Sequence, residues 1–322
     1  LLNRGLSEET LKTFRVGFAP DSWDTVTLEV MKLGLSQDVL TRSGLLMPKN
    51  EGGYYDRFRN RIMFPIMDIN GKVQAFGGRI FGEADGAKYM NSPETPIYHK
   101  GRTLFGLNIS RDEIRSSRTA ILVEGYMDLI RLYQEGFQNV VAGTGTAFTS
   151  EQAGLVKRFA DKVLVCYDGD AAGQKAAQKA GLTLLDKGLD VRIIQIPEGE
   201  DPDSFFDEKD AKAFQKLIGT ALDFMTFVLR ANQDQMDSPV KRTAFLEGMV
   251  SELALMQNEI LRGMLAGQLA EEMHVPEEAV MGLLKRQSKR VRRSEYTPDP
   301  PARQQQSKPD TLRRPESGAE KA

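Results

Sequence analysis

The sequence contains very little cysteine and histidine. Its 322 residues include one cysteine, Cys166, and two histidines, His99 and His274. A single cysteine cannot form an intramolecular disulfide, and so few thiols and imidazoles exclude cysteine-rich zinc sites and metal sites built mainly from histidine. A metal ion bound by this chain would therefore have oxygen ligands, which favours magnesium, manganese or calcium.

Two longer patterns are also missing. No run of about 18 apolar residues occurs, so we expect no membrane-spanning segment. The phosphate-binding pattern G-x-x-x-x-G-K-[ST] does not occur either, which argues against an NTPase of that class.

The chain starts with Leu-Leu-Asn-Arg rather than with methionine, and we expect it to be a fragment of a longer protein.

Positive charge is scarce overall but locally concentrated. The formal net charge of -2, taken alone, argues against nucleic-acid binding. Between residues 57 and 102, however, Lys and Arg outnumber Asp and Glu, whereas acidic residues predominate between residues 119 and 215. Because salt screens exposed charges over about 8 to 10 Å, a charged ligand responds to the local field more than to the total.

The apolar pattern changes along the chain. Residues 1–48 read as short helices, and the segment 61–81 predicts a β-hairpin that turns at Asn70-Gly71. From residue 119, short runs rich in Val, Ile and Leu alternate with helical patterns, which is typical of a parallel sheet covered by helices on both faces. Residues 220–288 have helical spacing, and the segment beyond residue 294 is rich in Pro and Gln.

We therefore predict an α/β fold in three parts. They are an N-terminal α+β subdomain (1–117), a central parallel sheet flanked by helices (118–216) and a C-terminal helical subdomain (217–290). Residues 291–322 are expected to be a disordered linker or tail. Met225, Met249, Met256 and Met264 lie in the helical region and are expected to be core residues.

Carboxylates follow the ends of three predicted strands. They are Glu124, Asp128, Asp168, Asp170, Asp201 and Asp203. Each motif alone is more typical of a turn or a helix cap, but ligands of parallel sheets gather at the carboxyl ends of strands. Two charges about 4 Å apart repel by about 4 kcal/mol at an effective dielectric of about 20. Six carboxylates at one sheet edge therefore indicate one or more divalent cations.

A glycine-rich segment, VAGTGTA (141–147), follows a predicted strand and precedes a predicted helix. Such a loop can bring backbone N–H groups close to a phosphate. Glycine also simply permits a tight turn, and the sequence leaves both interpretations open.

The motifs together resemble a known family. EGYMD (124–128), DGDAAG (168–173) and GEDPD (199–203) resemble the Toprim domain, a metal-binding module of bacterial primases, type II topoisomerases and certain nucleases and recombination proteins. RFRNRIMFPI (57–66), GKVQAFGGR (71–79), KYMNSPETPIYHKG (88–101) and LFGL (104–107) resemble the RNA polymerase domain of bacterial replicative primases. This resemblance implies template-directed synthesis of short RNA primers, with Mg²⁺ as cofactor and Mn²⁺ as an alternative.

The resemblance also implies site residues. All six carboxylates become catalytic candidates, and all except Asp128 become candidate metal residues, with Glu124, Asp168 and Asp170 as direct ligands. Arg57, Arg59 and Arg61 alternate with other residues, so that an extended strand would project three guanidinium groups from one face towards phosphates. The expected nucleotide- and nucleic-acid-binding set is Arg57, Arg59, Arg61, Arg79, Lys88, Tyr89, Asn91 and Lys100.

The implied partners are single-stranded DNA, ribonucleoside triphosphates, the RNA primer and the replicative helicase. We expect the zinc-binding and helicase-binding domains of the family to be absent from this chain, and the fragment to be monomeric and cytoplasmic, at the bacterial replication fork. Two alternatives remain: a Toprim-type topoisomerase or nuclease subunit that cleaves DNA, and a non-catalytic DNA-binding recombination module.

Overall fold

A computed structural model of the chain describes residues 1–82 and 86–295. Most of the expected tail, from residue 296 onward, lies outside these residues, and residues 291–295 continue the last helix. Within the described part, no helix has the length and hydrophobicity that crossing a lipid bilayer requires.

The N-terminal part combines short helices with a small antiparallel sheet. Its helices are α1 (Glu8–Thr13), α2 (Thr25–Lys32), α3 (Gln37–Arg42) and α4 (Leu107–Ser117). Its strands are β1 (Gly17–Ala19), β2 (Leu46–Pro48), β3 (Tyr54–Asp56), β4 (Arg61–Met67), β5 (Val73–Ile80) and β6 (Tyr89–Asn91). The sheet has the order β1-β4-β5-β6, while β2 and β3 form a separate pair.

The predicted hairpin joins β4 to β5. Met67 pairs with Val73, and Gly71 in the connecting turn has a φ of 82°, which favours glycine. The Asp68 carboxylate accepts hydrogen bonds from the backbone N–H groups of Asn70 and Lys72, both at 2.9 Å. Local turn chemistry therefore fixes this connection, as the sequence predicts.

The central part is a mixed five-stranded sheet with helices on both faces. Its strands are β7 (Thr119–Val123), β8 (Val140–Ala142), β9 (Lys162–Val165), β10 (Asp190–Ile193) and β11 (Leu222–Asp223), in the order β11-β10-β9-β7-β8. All pairs are parallel except β10 with β11. The helices are α5 (Tyr126–Gln134), α6 (Ser150–Lys157), α7 (Ala171–Asp186), α8 (Pro202–Glu208) and α9 (Ala211–Gly219). The predicted α/β class is confirmed.

Both faces of this sheet are buried, which explains its continuous apolar strands. Val163 and Val165 of β9 point into one core, while Leu164 and the following Cys166 point into the other. Side chains alternate between the faces of a strand, so a strand covered on both faces needs apolar residues at every position. The central strands β7 and β9 therefore carry polar residues only at their ends, whereas β10 has the half-exposed Arg192 in its interior.

The C-terminal part is helical, with α10 (Phe224–Ala231), α11 (Pro239–Leu253), α12 (Glu259–Glu272) and α13 (Glu277–Glu295). Met225, Met249 and Met256 are buried, as expected. Met264 is 68% exposed, so its assignment to the core is wrong. The buried face of α12 carries Leu265 and Leu269, and Met264 falls outside that face.

The N-terminal part packs directly on the central sheet. Leu6, Phe14 and Phe64 share a core with Leu129 and Ile130 of α5. The ring of Tyr126, at the start of α5, stacks on Phe64 with a centroid distance of 5.3 Å. This packing brings the strands β5 and β6 next to the carboxyl edge of the parallel sheet.

Candidate functional site

A cleft of about 290 Å³ lies where the carboxyl edge of the parallel sheet meets β5 and β6. It is lined by Arg4, Arg79, Lys88, Tyr89, Asn91, Glu124, Gly125, Tyr126, Met127, Asp128, Gly143, Gly145, Asp168, Asp201 and Asp203. Five of the six predicted carboxylates and four of the eight predicted basic or polar binding residues are thus brought together. Acidic and basic groups face one another in this cleft.

Strand ends and helix starts place the acids. Glu124 directly follows β7, and Asp168 follows β9 after two buried residues. Asp128 lies in the first turn of α5 and accepts a hydrogen bond from the Gly125 N–H at 2.9 Å. Asp201 caps α8, with Oδ1 accepting from the Ser204 N–H at 2.6 Å. Each capping acid satisfies a helix N–H group through one oxygen.

Asp170 is the exception among the predicted carboxylates. It caps α7 through a 2.7 Å hydrogen bond from the Gly173 N–H to Oδ1, and its side chain is exposed. Among the described residues it lies beside the cleft rather than in its lining. Its charge is nevertheless near enough to raise the pKa of both Glu124 and Asp168.

Burial and mutual repulsion raise the pKa values of four of the acids, Glu124, Asp128, Asp168 and Asp203. Burial, followed by the charges of Asp168, Asp201 and Asp203, raises the pKa of Asp128 to about 8. This residue is only 8% exposed, so its charged form has little access to water. The protonated form of Asp128 is therefore favoured when no cation lies beside it.

Glu124 and Asp168 show the same effect. Burial first, then the charge of Asp168, raises the pKa of Glu124 to about 7. The side chain of Glu124 keeps contact with solvent, which moderates the energetic consequence of this shift. Burial, followed by Asp201 and Asp170, also raises the pKa of Asp168, while Lys88 lowers it.

Arg4 is a site residue that the sequence analysis missed. Its Nη2 donates to Asp203 Oδ2 at 2.9 Å, and the Asp203 side chain is only 6% exposed. The guanidinium of Arg131 donates to the backbone carbonyls of Arg4, at 3.0 Å, and Phe206, at 2.5 Å, and so holds the N-terminal segment in place. Arg4 and Asp203 are 199 positions apart in the sequence. No local sequence pattern identifies Arg4 as a site residue.

The donor chemistry of the cleft fits a hard divalent cation. Its acids offer carboxylate oxygens, and the raised pKa values of Glu124 and Asp128 indicate that a nearby cation would stabilise the ionised forms of these two residues. Within residues 1–82 and 86–295, however, no three His, Cys, Asp or Glu side chains are arranged to hold a metal ion. Binding would thus require these side chains to reorient towards a shared cation.

On the basic side, Asn91 has a structural task. Its Oδ1 accepts a hydrogen bond from the Tyr126 hydroxyl at 2.9 Å, and its Nδ2 donates to the Thr144 carbonyl at 2.7 Å. The side chain therefore ties the loop at Gly143–Gly145 to the start of α5. Arg79, Lys88 and Tyr89 line the cleft beside it.

The prediction that Arg57, Arg59 and Arg61 lie on one strand is wrong. β3 ends at Asp56 and β4 begins at Arg61, and between them Asn60 has a φ of 49° in the left-handed region. The chain turns at this point, so the three guanidinium groups do not share a strand face.

Each of these arginines instead has its own protein partners. Arg61 is 5% exposed and donates to the backbone carbonyls of Gly78, at 3.1 Å, and Ala87, at 3.0 Å. The Arg59 guanidinium lies 3.9 Å from the Trp23 ring centroid. Arg57 donates to the Asn91 carbonyl at 3.4 Å.

Lys100 lies in a short 3-10 helix beside α6. Its carbonyl accepts from Gln152 Nε2 at 3.0 Å and from the Thr144 hydroxyl at 3.2 Å. Among the described residues, neither Lys100 nor the three arginines line the cleft. Their roles in ligand binding stay predictions.

Comparison with known families gives three matches along the chain. Residues 1–111 match the family described as DNA primase catalytic core, N-terminal domain, and residues 121–206 match the Toprim-like family. Residues 222–278 match the DnaB-helicase binding domain of primase. The expectation that the chain lacks the helicase-binding domain is therefore wrong, because helical apolar spacing in residues 220–288 indicates a helical subdomain but not what that subdomain binds.

Relatives of known sequence and structure agree with these matches. A DNA primase of Listeria innocua is 40% identical over 279 residues, which cover 84% of this chain and 44% of that protein. The chain thus spans less than half the length of this relative. A DNA primase domain from Pseudomonas aeruginosa has a TM-score of 0.79 and 36% identity, covering 88% of this chain and 91% of that one.

A second solved structure is described as the DnaG primase catalytic domain bound to ssDNA. It is 35% identical, with a TM-score of 0.74, and the alignment covers 87% of this chain and 89% of that one. High coverage on both sides, at more than 30% identity, extends the likeness over nearly all the described residues. The chain therefore belongs to the DNA primase family, and it corresponds to the catalytic core of that family.

Proposed function

We propose that this chain is the catalytic core of an enzyme that synthesises short RNA primers on single-stranded DNA from ribonucleoside triphosphates. The observation that carries the proposal is the cleft in which Glu124, Asp128 and Asp168 face Arg79 and Lys88. Acidic groups suit a divalent cation, and basic groups suit phosphates, so one cleft offers both requirements of nucleotidyl transfer. We place this activity in the bacterial cytoplasm, at the replication fork.

In this proposal the reaction joins a ribonucleotide 3′ hydroxyl to the α-phosphate of the next nucleoside triphosphate and releases pyrophosphate. Glu124, Asp168 and Asp170 would hold Mg²⁺, or Mn²⁺ in its place, with Asp201 nearby. When bound, the cation supplies charge neutralisation at the phosphates and a lower pKa for the attacking hydroxyl. Because Asp203 already pairs with Arg4, we assign it to support of the site rather than to direct ligation.

The remaining residues bind and orient. Lys88 and Arg79 would attract the triphosphate or the template backbone, because their cationic groups line the same cleft as the acids. Tyr89, 37% exposed, offers a ring on which a base could stack. Asn91 would keep the loop at Gly143–Gly145 against the cleft through its 2.7 Å hydrogen bond to the Thr144 carbonyl. No side chain needs to act as a covalent nucleophile.

Incorporation of labelled ribonucleotides on a single-stranded DNA template tests this proposal. We expect template-dependent incorporation with Mg²⁺ or Mn²⁺, and loss of it in Asp168→Asn with the fold retained. Cleavage or relaxation of DNA without incorporation would instead favour the topoisomerase or nuclease alternative. Ligand binding that is unchanged in Glu124→Gln, without any catalysis by the wild type, would favour the non-catalytic module.

We also infer that the chain divides into three functional parts. Residues 1–117 form a basic part, residues 118–216 a metal-binding part and residues 217–290 a part that contacts the helicase. Support for the last comes from the family match at 222–278 and from the exposed apolar side chains of Ile260 and Met264, which are 80% and 68% exposed. Ile260→Glu with Met264→Glu should weaken the affinity for the purified replicative helicase. Leu33→Glu, at a residue 71% exposed but outside that match, is the control. Equal affinity of both variants would contradict the assignment.

A further inference from the structure

A second cavity adjoins the cleft at Glu124. Its volume is about 510 Å³, and it shares Glu124, Gly143 and Gly145 with the cleft described above. The two spaces therefore meet at the carboxylate that we place at the reacting centre. A polymerising site must hold phosphate groups on both sides of that centre, since the strand being extended and the incoming nucleotide approach each other there.

The floor of the second cavity is one face of α7. Ala172, Lys175, Ala176 and Lys179 line it, with the spacing i, i+3, i+4 and i+7 that places residues on one side of a helix. The two alanines leave room above the helix surface. The two lysines, one turn apart, are separated by about 6 Å along the helix axis.

The charges of this cavity differ from those of the first. Glu124 is its only carboxylate among the described lining residues, whereas five carboxylates line the cleft. Lys175 and Lys179 are exposed, and neither belongs to any ion pair within the part of the chain that the structure describes. Two unpaired ammonium groups at the mouth of a cavity attract an anion with two neighbouring charges.

The opposite wall is the glycine-rich loop. Gly145 has a φ of 78°, and a Cβ added there would lie 2.5 Å from Asn91 Nδ2. The hydrogen bond from Asn91 to the Thr144 carbonyl holds this loop between the two spaces. The loop is thus a fixed partition, and the second cavity has a defined wall facing the lysines.

We propose that the second cavity is a phosphate-binding subsite in which Lys175 and Lys179 hold neighbouring phosphate groups of a nucleotide ligand. This inference rests on the proposed function, because the proposed RNA synthesis defines which nucleotide ligands can supply the phosphate groups. One source is the phosphodiester backbone of the RNA strand, and the other is the triphosphate of the incoming nucleotide. Both present phosphate groups in series, and both must lie next to Glu124.

Equilibrium binding without turnover tests the subsite. The variant is Lys175→Ala with Lys179→Ala, and the probes are a short 5′-labelled oligoribonucleotide and a fluorescent ATP analogue, each measured at several salt concentrations. The matched control is Lys212→Ala with Lys216→Ala, an exposed pair also one turn apart, on α9. It changes the net charge equally but lies outside both cavities. Circular dichroism checks that each variant is folded.

We expect the α7 variant, and not the α9 control, to bind one probe several-fold more weakly. If the subsite holds RNA, the slope of log affinity against log salt should become shallower by about 1.4, because two phosphate contacts are lost at about 0.7 each. If it holds the triphosphate, only the ATP analogue should bind more weakly. Unchanged binding of both probes, or equal losses in the two variants, would overturn the subsite. A wild-type protein that binds both probes but incorporates no ribonucleotide would contradict the proposed function alone.

Discussion

At the scale of residues, the main feature of the cleft is a group of carboxylates whose ionised forms are poorly stabilised without a cation. Asp128 illustrates this best, because it is buried and its pKa is raised to about 8. The hydrogen bond that it accepts from the Gly125 N–H lowers the pKa too little to offset burial and three neighbouring acids. Such an arrangement costs stability and persists at sites where function requires it.

The pH dependence of stability should reveal this strain. Because the folded pKa of Asp128 exceeds the unfolded value of about 3.9, the folded state retains the proton longer. The unfolding free energy should therefore fall as pH rises from about 4 to about 8. Asp128→Asn keeps an acceptor for Gly125 but removes the charge, so it should flatten this fall. Urea denaturation in a chelator at pH 5 and pH 8 measures it.

The control for that experiment is Asp161→Asn. The hydrogen bond from Arg118 lowers the pKa of Asp161, whereas the pKa of Asp128 is raised. Because the two shifts have opposite directions, Asp161→Asn should not flatten the fall of the unfolding free energy with rising pH. If Asp128→Asn retains the full wild-type pH dependence, the assignment of a strained, buried carboxylate is wrong.

Arg4 should contribute to stability through Asp203. Arg4→Ala leaves a buried carboxylate without its cation, and we expect a loss of about 1 to 3 kcal/mol in the unfolding free energy. Adding Asp203→Asn should recover part of that loss, because the unpaired charge is then gone. Chemical denaturation of both single variants and the double variant gives the coupling. Strictly additive effects would show that the pair does not interact energetically.

At the scale of elements, strand ends were predictable and turns between basic residues were not. Apolar runs identify β7 and β9, and Glu124 and Asp168 follow them, so their place at one sheet edge could be predicted from the pattern alone. The alternation of Arg57, Arg59 and Arg61 looked like a strand, but Asn60 adopts a left-handed conformation and the chain turns. A period of two over five residues cannot distinguish a strand from a turn.

Close packing between β5 and α5 gives a prediction at this scale. A Cβ added to Gly77 would lie 2.5 Å from the ring of Tyr126, which is 4% exposed and stacked on Phe64. Gly77→Ala should therefore lower the unfolding free energy by about 1 to 3 kcal/mol. Thermal or urea denaturation measures the change.

Gly154→Ala is the matched control for Gly77→Ala. Gly154 lies in α6, and among the described atoms outside its own helix backbone none would lie within 4 Å of an added Cβ. The same substitution should here stabilise the protein by about 0.5 to 1 kcal/mol. Equal effects at the two positions would contradict the packing explanation.

At the scale of the whole molecule, the site depends on packing between distant segments. Leu6 and Phe14 share one core with α5, and Arg4 reaches Asp203 only because of that packing. Sequence patterns predict the class of fold and the acids, since both follow from local periodicity. They do not predict Arg4, nor the exposure of Met264, since these depend on which surfaces meet in three dimensions.

Shared packing predicts cooperative unfolding of the N-terminal and central parts. Trp23 is the only tryptophan, so its fluorescence reports on the N-terminal part, while far-UV circular dichroism reports mainly on the helices. The two urea transitions should coincide if the shared core joins both parts into one unit. An earlier transition in fluorescence would show that the N-terminal part unfolds separately.

Uptake of a divalent cation tests the central claim most directly, because it does not depend on turnover. Mn²⁺ binding, followed by the electron paramagnetic resonance signal of the free ion, should be saturable in the wild type and displaced by Mg²⁺. Glu124→Gln and Asp168→Asn should bind Mn²⁺ much more weakly, whereas Asp190→Asn, at the far end of the sheet, should bind as the wild type does. Equal Mn²⁺ uptake by all four proteins would contradict the claim that the acidic cleft holds the metal.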